Sequence, residues 1–253
     1  MYKAAEGLGK TTEAIEATDA HCHLNLFEDN AEIVKASAKA GVGTIITAGS
    51  DLKSNFDNAK IAEGMVFAVV GIDPEFALVE DYRSLEAIEK LLKSGNHIVG
   101  VGEIGLDYKK ATSELQKERQ QSFFKRQLEM AKDFGLPVVV HSRDALDEVL
   151  DTLERFDIKK AMLHYFEGGP EQAVKAASKG YLISVPPLAS RKRDRAIRNI
   201  SLERIVAETD SPVVGKTPAD VLMSIRNIAE AKGIGFGEVV SATTSNAKEF
   251  FYI

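Results

Sequence analysis

The stretch PVVVHS, residues 137–142, sets three consecutive valines between a proline and a histidine. Neighbouring residues of a strand face opposite sides of a sheet, so the valines predict a strand that is buried on both faces. Such strands are typical of parallel sheets that are covered on both sides. Similar short apolar runs occur before and after it, at residues 17–21, 43–49, 65–72, 97–105, 160–166, 181–185 and 204–210. The chain therefore has eight candidate strands.

Amphipathic stretches separate these runs. The clearest begins at Ser113, which is spaced to form a capping box with Gln116. Phe124, Leu128 and Ala131 then continue one apolar face at helical spacing. Strands that are buried on both faces and alternate with helices indicate an α/β protein with a parallel sheet.

Eight such units predict a single-domain (β/α)₈ TIM barrel over residues 17–253, and an open doubly wound sheet is the main alternative. Residues 1–16 are predicted to form an N-terminal extension. Its segment GLGKTT, residues 7–12, resembles the end of a Walker A loop. Ala4 stands where that motif requires glycine and no strand precedes it, so nucleotide binding is not predicted.

Composition limits the classes of function. The formal net charge of -6 over 253 residues argues against a protein that coats nucleic acid non-specifically. Cys22 is the only cysteine, so no intrachain disulfide forms and a reducing cytoplasm suits the chain. No apolar run approaches the ~20 residues of a membrane span, and the first residues lack the apolar core of a signal peptide. We expect a cytoplasmic protein without membrane association.

Polar residues stand where several of the candidate strands end. In a barrel, the carboxyl ends of all strands meet at one face, where active sites are found. Cys22 alternates with its two histidine neighbours and should point away from them, into packing. The residues predicted to converge on this face are His21, His23, Glu103, His141, His164 and Asp210.

Imidazole and carboxylate groups together indicate a metal site. One catalytic zinc ion usually takes three protein ligands, so six candidates suit two ions that share a bridge. Glu103, in the fourth run, is the natural bridge, and the donors suit Mg²⁺, Mn²⁺ or Zn²⁺. Taken singly, each residue has a structural alternative, such as a hydrogen-bonded core histidine, a salt-bridge role for Glu103 or a capping role for Asp210.

Five ordered motifs resemble those of the TatD-family metal-dependent deoxyribonucleases, within the amidohydrolase-like barrels. They are DAHCHLN (19–25), GVGEIGLDY (100–108), PVVVHSRDA (137–145), HYFEGG (164–169) and AETDSP (207–212). The resemblance implies magnesium- or manganese-dependent cleavage of DNA, often from the 3′ end, with zinc in some structures. It also implies the ligand sets: His21, His23, Glu103 and Asp210 for one ion, and Glu103, His141 and His164 for the other.

By the same resemblance, the catalytic residues are Glu103, as the bridge, and Asp210, which would orient or deprotonate the attacking water. The chain departs from the family at positions that bear on the substrate. Tyr165 and Glu167 replace a small thiol and a hydroxyl beside His164. After the last strand, the segment VVGKTPAD leads almost directly into a helix, so the loop there is short.

Candidate substrate-binding residues follow two of the strands. Arg143 lies two residues after His141 and could pair with a phosphate, although a salt bridge to Asp144 or Glu167 is the alternative. The stretch RKRDRAIR, residues 191–198, carries five cations and one anion and is either a phosphate contact or a solvated helix face. Its candidate contacts are Arg191, Lys192, Arg193 and Arg195.

The sequence as a whole predicts a hydrolase that cleaves phosphodiester bonds in DNA with water activated by two divalent metal ions. Single-stranded DNA or 3′ ends are the expected substrate. An amidohydrolase-like enzyme that hydrolyses a C–N or ester bond of a small molecule is one alternative, although no lysine ends a strand at the mouth to form a carbamylated bridge. A metal-binding but inactive scaffold is the other.

Overall fold

The computed structural model describes residues 16–95 and 97–253. The predicted extension over residues 1–16, with its GLGKTT segment, lies outside the described residues except for Glu16. The carbonyl of Glu16 accepts a hydrogen bond of 3.1 Å from the hydroxyl of Thr244. Among the described residues, no helix is both long and apolar enough to cross a bilayer.

Strands and helices alternate through the described chain. The strands β1 to β8 are Ala17–Cys22, Val42–Ala48, Val66–Val70, Ile98–Asp107, Val138–Arg143, Ala161–Leu163, Leu182–Val185 and Ile205–Ala207. The helices α1 to α9 are Asn30–Lys39, Leu52–Ile61, Arg83–Ser94, Glu114–Phe134, Leu146–Arg155, Pro170–Ser178, Arg191–Arg198, Val221–Lys232 and Phe236–Phe251. Each strand pairs in parallel with the next in chain order, which confirms the (β/α)₈ barrel and excludes an open sheet with a reversed strand order.

The seam between β8 and β1 closes through the residues that follow β8. The backbone N–H groups of Thr209 and Asp210 donate to the carbonyl of His21, at 3.3 and 2.9 Å. The N–H of His23 donates in turn to the carbonyl of Ser211 at 2.8 Å. Two candidate histidines and a candidate aspartate are therefore joined by backbone hydrogen bonds across the seam.

A buried carboxylate strengthens the same seam. Asp19 accepts hydrogen bonds from the backbone N–H of Thr209 at 2.8 Å and from its hydroxyl at 2.6 Å. The backbone N–H of His21 is a third donor to this carboxylate, at 3.3 Å. Asp19, the first residue of the DAHCHLN motif, thus links β1 to the residues after β8 next to the candidate ligands.

Apolar side chains form two layers. Val138 and Val140 of β5 pack in the layer between strands and helices, whereas Val139 packs inside the barrel, as the alternation of side chains along a strand requires. Phe250 and Phe251 of α9 pack against this inner cluster near the strand starts. These side chains fill the end of the barrel where the strands begin. The polar residues lie at the other end, where the strands finish and the barrel mouth is open.

The helix predicted at Ser113 is α4. Ser113 and Gln116 form the capping box, in which Oγ of Ser113 accepts from the N–H of Gln116 at 3.3 Å and Oε1 of Gln116 accepts from the N–H of Ser113 at 3.1 Å. Phe124, Leu128 and Ala131 are buried along one face, as the spacing predicts. The sequence therefore defined both the start of this helix and its packing face.

Two buried glutamines of α4 fix the loops at the mouth. Gln127 accepts from the N–H of Ile72 at 2.7 Å and donates to its carbonyl at 3.0 Å, which holds the loop after β3. Gln120 accepts from the N–H of Asp107 at 3.0 Å and donates to the carbonyl of Pro74 at 2.8 Å. These hydrogen bonds position Asp107 and also Asp73, which follows Ile72.

Candidate metal centre

The six candidate ligands come together at the open mouth. His21 lies in β1, Glu103 in β4 and His141 in β5, whereas the other three follow the ends of β1, β6 and β8. Five of the six are buried, and His141 is partly exposed. They are His21, His23, Glu103, His141, His164 and Asp210.

Glu103 lies at the centre of the group. Its Oε2 is 3.5 Å from Nε2 of His21 and 3.7 Å from Nε2 of His23. Its Oε1 is 2.9 Å from Nδ1 of His141 and 3.4 Å from Nε2 of His164. Each oxygen of Glu103 therefore faces a different pair of imidazoles, as in a carboxylate that bridges two ions.

Asp210 approaches from the far side of the seam. Its Oδ1 is 3.2 Å from Nε2 of His23 and 3.8 Å from Nε2 of His21. The backbone of Asp210 is in the left-handed region at φ 50°, which an ordinary side chain adopts only where its surroundings hold it there. The closing hydrogen bonds of the seam supply that constraint and aim the carboxylate at the histidines.

The ligand atoms form overlapping clusters, each within 4.8 Å. One cluster is His21, His23 and Glu103, and another is Glu103, His141 and His164, so that two potential cages share Glu103. A third joins His21, His164 and Asp210. Imidazole nitrogen and carboxylate oxygen are donors that suit Zn²⁺, Mn²⁺ and, with less affinity for nitrogen, Mg²⁺.

His21 distinguishes a metal site from a purely structural cluster. Its ring is completely buried, yet neither of its ring nitrogens has a hydrogen-bond partner among the described residues. Buried polar groups without partners are rare in folded proteins because the lost hydration is costly. A hydrogen-bonded core role therefore does not account for His21, whereas a divalent ion between His21 and Glu103 would.

Groups behind the histidines orient their rings. Nδ1 of His23 is 3.0 Å from the carbonyl of Ala48, and Nδ1 of His164 is 3.1 Å from a carboxylate oxygen of Glu208. Both contacts leave Nε2 directed at the cluster. Such supports are typical of metal-binding histidines, because they set the ring tautomer and raise the basicity of the ligand nitrogen.

His141 presents its other ring nitrogen to the cluster. Its Nδ1 faces Glu103, while its Nε2 lies 3.2 Å from Oδ2 of Asp107. Asp107 in turn accepts from the N–H groups of Lys109 and Lys110, both at 3.0 Å. The last residue of β4 thus holds the ring of His141.

Sequence reasoning missed three acidic residues of this site: Glu208, Asp107 and Asp73. Glu208 and Asp107 lie within the AETDSP and GVGEIGLDY motifs, and each is a buried carboxylate at the end of a strand. That position was the available signal. Asp73 lines the pocket above the cluster, and burial together with the nearby charge of Glu103 raises its pKa to about 7.

The electrostatics of the cluster hold its carboxylates ionised. Burial alone would raise the pKa of Glu103, but His164 and His141 outweigh it and hold the pKa well below its usual range. Burial is similarly outweighed by His23 at Asp210, whose pKa is lowered. Burial and the nearby His164 lower the pKa of His21. Despite burial, the neighbouring carboxylates raise the pKa of His23, of His164 and, to about 9, of His141. Metal ions bind ionised carboxylates and neutral imidazole, so these three rings release protons when an ion binds.

A cavity of about 410 Å³ above the cluster, which we call the metal pocket, opens to solvent. Arg143 lines it together with Glu103 and His141. No carboxylate of the described chain pairs with Arg143 within 4 Å, so neither Asp144 nor Glu167 forms the salt bridge that was the alternative. The guanidinium of Arg143 is therefore available to an anion in the pocket.

The four candidates of α7 lie in different places. Lys192 is exposed and lines a neighbouring cavity, whereas Arg191 and Arg195 line a separate surface hollow with Asp194. Arg193 is buried: its Nε donates to the carbonyl of Phe166 at 2.9 Å and its Nη1 to that of Leu188 at 2.8 Å. The structure thus does not bring these four side chains to one surface.

Cys22 is packed away from the cluster. It is completely buried in the layer between barrel and helices, and none of the candidate metal clusters includes it. Burial raises the pKa of its thiol, which disfavours the thiolate that metals bind.

Comparison with known proteins agrees with this geometry. The model of the TatD related DNase family matches residues 18–252. Putative deoxyribonuclease tatdn3 of Danio rerio is 34% identical over 255 residues, which cover 92% of this chain and 96% of the relative. Deoxyribonuclease TATDN3 of Homo sapiens is 31% identical over 256 residues, covering 92% of this chain and 93% of the relative.

A solved structure extends the likeness to the fold. The crystal structure of YjjV, a TatD homolog from Escherichia coli K12, has a TM-score of 0.85 and 29% sequence identity with this chain. The likeness covers 95% of this chain and 99% of that one. With the family match over nearly the whole barrel, it shows that the chain belongs to the TatD-related DNase family.

Proposed function

We propose that this protein hydrolyses phosphodiester bonds in DNA and that it uses two divalent metal ions bound at the barrel mouth. The observation that carries the proposal is the position of Glu103, whose two oxygens face two different pairs of histidines. Support for DNA as the substrate comes from the family match and from relatives named as deoxyribonucleases.

In this proposal, one ion is held by His21, His23, Glu103 and Asp210, and the other by Glu103, His141 and His164. Two of the three clusters, His21 with His23 and Glu103, and Glu103 with His141 and His164, support that division. The third, His21 with His164 and Asp210, lies across it. Bound divalent ions would polarise the phosphate and lower the pKa of a nearby water molecule, and the donor set fits Mg²⁺, Mn²⁺ or Zn²⁺.

Asp210 is the proposed acceptor of the proton from the attacking water. Its Oδ1 lies 3.2 Å from Nε2 of His23, and the residue lines the metal pocket, where a substrate phosphate would lie. Arg143, on the same wall, is the proposed partner of a non-bridging phosphate oxygen, because guanidinium binds phosphate through two parallel hydrogen bonds.

Further contacts to the DNA backbone are proposed for Arg191, Lys192 and Arg195, which are all exposed on α7. We leave Arg193 out, because two of its donors already bind backbone carbonyls. The buried position of Glu103 at the base of the metal pocket favours a single strand or a 3′ end, which can enter a pocket more easily than a continuous duplex. The free, buried thiol of Cys22 suits the reducing cytoplasm that we propose as its location.

A substrate panel tests the proposal. With Mg²⁺ or Mn²⁺ supplied, the protein should cleave single-stranded DNA and a small phosphodiester such as bis(p-nitrophenyl) phosphate, and it should leave small amides and lactones intact. Product analysis by electrophoresis and absorbance would measure each rate. Turnover of an amide or lactone alone would favour the amidohydrolase alternative, and no turnover with metal bound would favour an inactive scaffold.

The proposed backbone contacts make binding depend on salt. Each phosphate contact releases counterions, so reversing Arg191 and Arg195 to glutamate should flatten the log–log salt dependence of single-strand binding by about 1.4 units. Fluorescence anisotropy with labelled DNA would measure this slope. A matched control reverses Lys35 and Lys39, two exposed cations of α1, which alters net charge equally. If both double variants gave the wild-type slope, the charged face of α7 would be only solvated.

A further inference from the structure

A second cavity, which we call the side pocket, opens beside the metal pocket between the loops after β5 and β6 and the start of α7. Its volume is about 490 Å³, and it shares Ser142, His164 and Glu167 with the metal pocket. Of its lining, the proposed hydrolysis uses only His164, as a metal ligand, and Lys192, as a contact to the DNA backbone. Because the two cavities are adjacent, a group bonded to a phosphate at the metal centre lies next to the side pocket.

The side pocket is acidic. Its lining carries four carboxylates, from Asp144, Asp147, Glu148 and Glu167, and none of them pairs with lysine or arginine within 4 Å in the described chain. The lining also carries two cations, of which Lys192 is exposed and Arg193 is buried. Repulsion by unpaired carboxylates disfavours a phosphate inside this cavity, so a neutral part of a nucleotide is the better occupant.

Neighbouring side chains donate hydrogen bonds to only two of these four carboxylates. Gln172 donates to Asp147 at 2.9 Å, and Gln121 donates to Glu148 at 2.6 Å. Asp144 and Glu167 accept no hydrogen bond from the side chains of the described chain. Both residues are exposed, so an occupant that donates hydrogen bonds to these carboxylates replaces water.

A buried hydroxyl marks the junction of the two cavities. Oγ of Ser142 is inaccessible to solvent and has no hydrogen-bond partner among the residues that the structure describes. Ser142 lines both cavities, so a small rotation of its side chain would bring this hydroxyl to an occupant. Buried hydroxyls normally have partners, and a ligand with a polar edge would supply one.

Part of the lining is apolar and close-packed. Leu146 and Phe166 contribute to it, and a Cβ at Gly168 would lie 2.3 Å from the ring of Phe166 and 2.6 Å from a methyl carbon of Leu146. A side chain at this position would therefore displace one of them. A lining that combines apolar side chains with hydrogen-bond acceptors suits a flat group with N–H donors on its edge.

We propose that the side pocket holds the base of the nucleotide next to the scissile phosphate and that it prefers bases with an exocyclic amino group. Guanine, adenine and cytosine present such donors to Asp144 and Glu167, whereas thymine presents one N–H between two carbonyl oxygens that carboxylates repel. Ser142 would hydrogen-bond to the edge of the same base. This inference rests on the proposed function, because it assumes a nucleotide substrate.

Binding of mononucleotides tests the inference without turnover. Isothermal titration of the Mn²⁺-loaded protein with the four deoxynucleoside monophosphates should show that thymine binds about tenfold more weakly than the others, the effect of one lost hydrogen bond to a charged group. In the double variant Asp144→Asn with Glu167→Gln, this ratio should fall to about threefold or less, because hydrogen bonds to neutral acceptors are roughly half as strong. Glu171→Gln, at an exposed acid that lines neither cavity, is the matched control.

The possible outcomes separate this inference from the proposed function. Equal affinity for all four bases in the wild type, or a preference that the double variant keeps in full, would overturn the base subsite. Far-ultraviolet circular dichroism and metal content of the variants verify that the fold and metal centre are intact. Cleavage of DNA is measured separately, so a protein that selects bases but does not cut DNA would retain the subsite and lose the proposed activity.

Discussion

Exhaustive removal of divalent ions should lower DNA hydrolysis by ~10³-fold or more, and restoring Mg²⁺ or Mn²⁺ should return it. The reason is that the ions together supply several kcal/mol of charge stabilisation and lower the pKa of water, and each 1.36 kcal/mol is worth about tenfold in rate. Rates with chelator and after re-addition of metal, alongside metal content by mass spectrometry, provide the measurement.

Matched variants sharpen this prediction. Cys22→Ala should keep the full metal content, because Cys22 lies in the apolar layer outside the clusters. His23→Ala should lose at least one ion, because its Nε2 faces both Glu103 and Asp210. Bound ions stabilise the folded state by mass action, so the midpoint of thermal unfolding should rise with metal in the cysteine variant as in the wild type. Full activity in protein shown to be metal-free would overturn the mechanism.

The substitution Asp210→Asn should lower kcat by ~10²–10⁴-fold, the range expected when a general base is lost. Asparagine keeps the size of the side chain and tolerates the left-handed backbone at φ 50°, so the fold should be retained. It cannot accept the proton of the attacking water, and it binds a cation less strongly than a carboxylate. Steady-state kinetics with single-stranded DNA and with bis(p-nitrophenyl) phosphate would both show the loss.

Glu75→Gln is the control for a general change of charge. Glu75 lines the same metal pocket but is exposed and pairs with Lys110 at 2.8 Å, so neutralising it should alter kcat by only a small factor. If kcat fell equally in Asp210→Asn and Glu75→Gln, the effect of Asp210 would be that of its negative charge in the pocket and not of proton transfer. A rate within a few-fold of wild type for Asp210→Asn would make Asp210 a structural residue of the seam.

The strands and the positions of the candidate ligands were predictable from local sequence. The consecutive valines of β5 indicate burial on both faces, and His141, which interrupts the run, lies among the last three residues of the strand. Parallel strands in a barrel align their ends by geometry, which is why the six candidates meet at one mouth. The division of these residues between two ions came only from the family resemblance.

Local sequence could not assign the supporting groups. Glu208 holds His164 across two strands, and Asp107 holds His141 from the neighbouring strand. Each pairing depends on the register between strands and on the rotamer of the side chain. Neither quantity has a local signature, so both acids looked like ordinary polar residues beside the candidate ligands.

The eight-unit barrel, its buried faces and the polar residues of its mouth followed from the sequence, because hydrophobic periodicity and strand alternation are local properties. The inward turn of Arg193 and the acidic side pocket beside the metal pocket came from tertiary packing. These features depend on how distant segments pack at the closed seam and the mouth. They arise from contacts between residues that are far apart in the chain, and no local sequence pattern encodes such contacts.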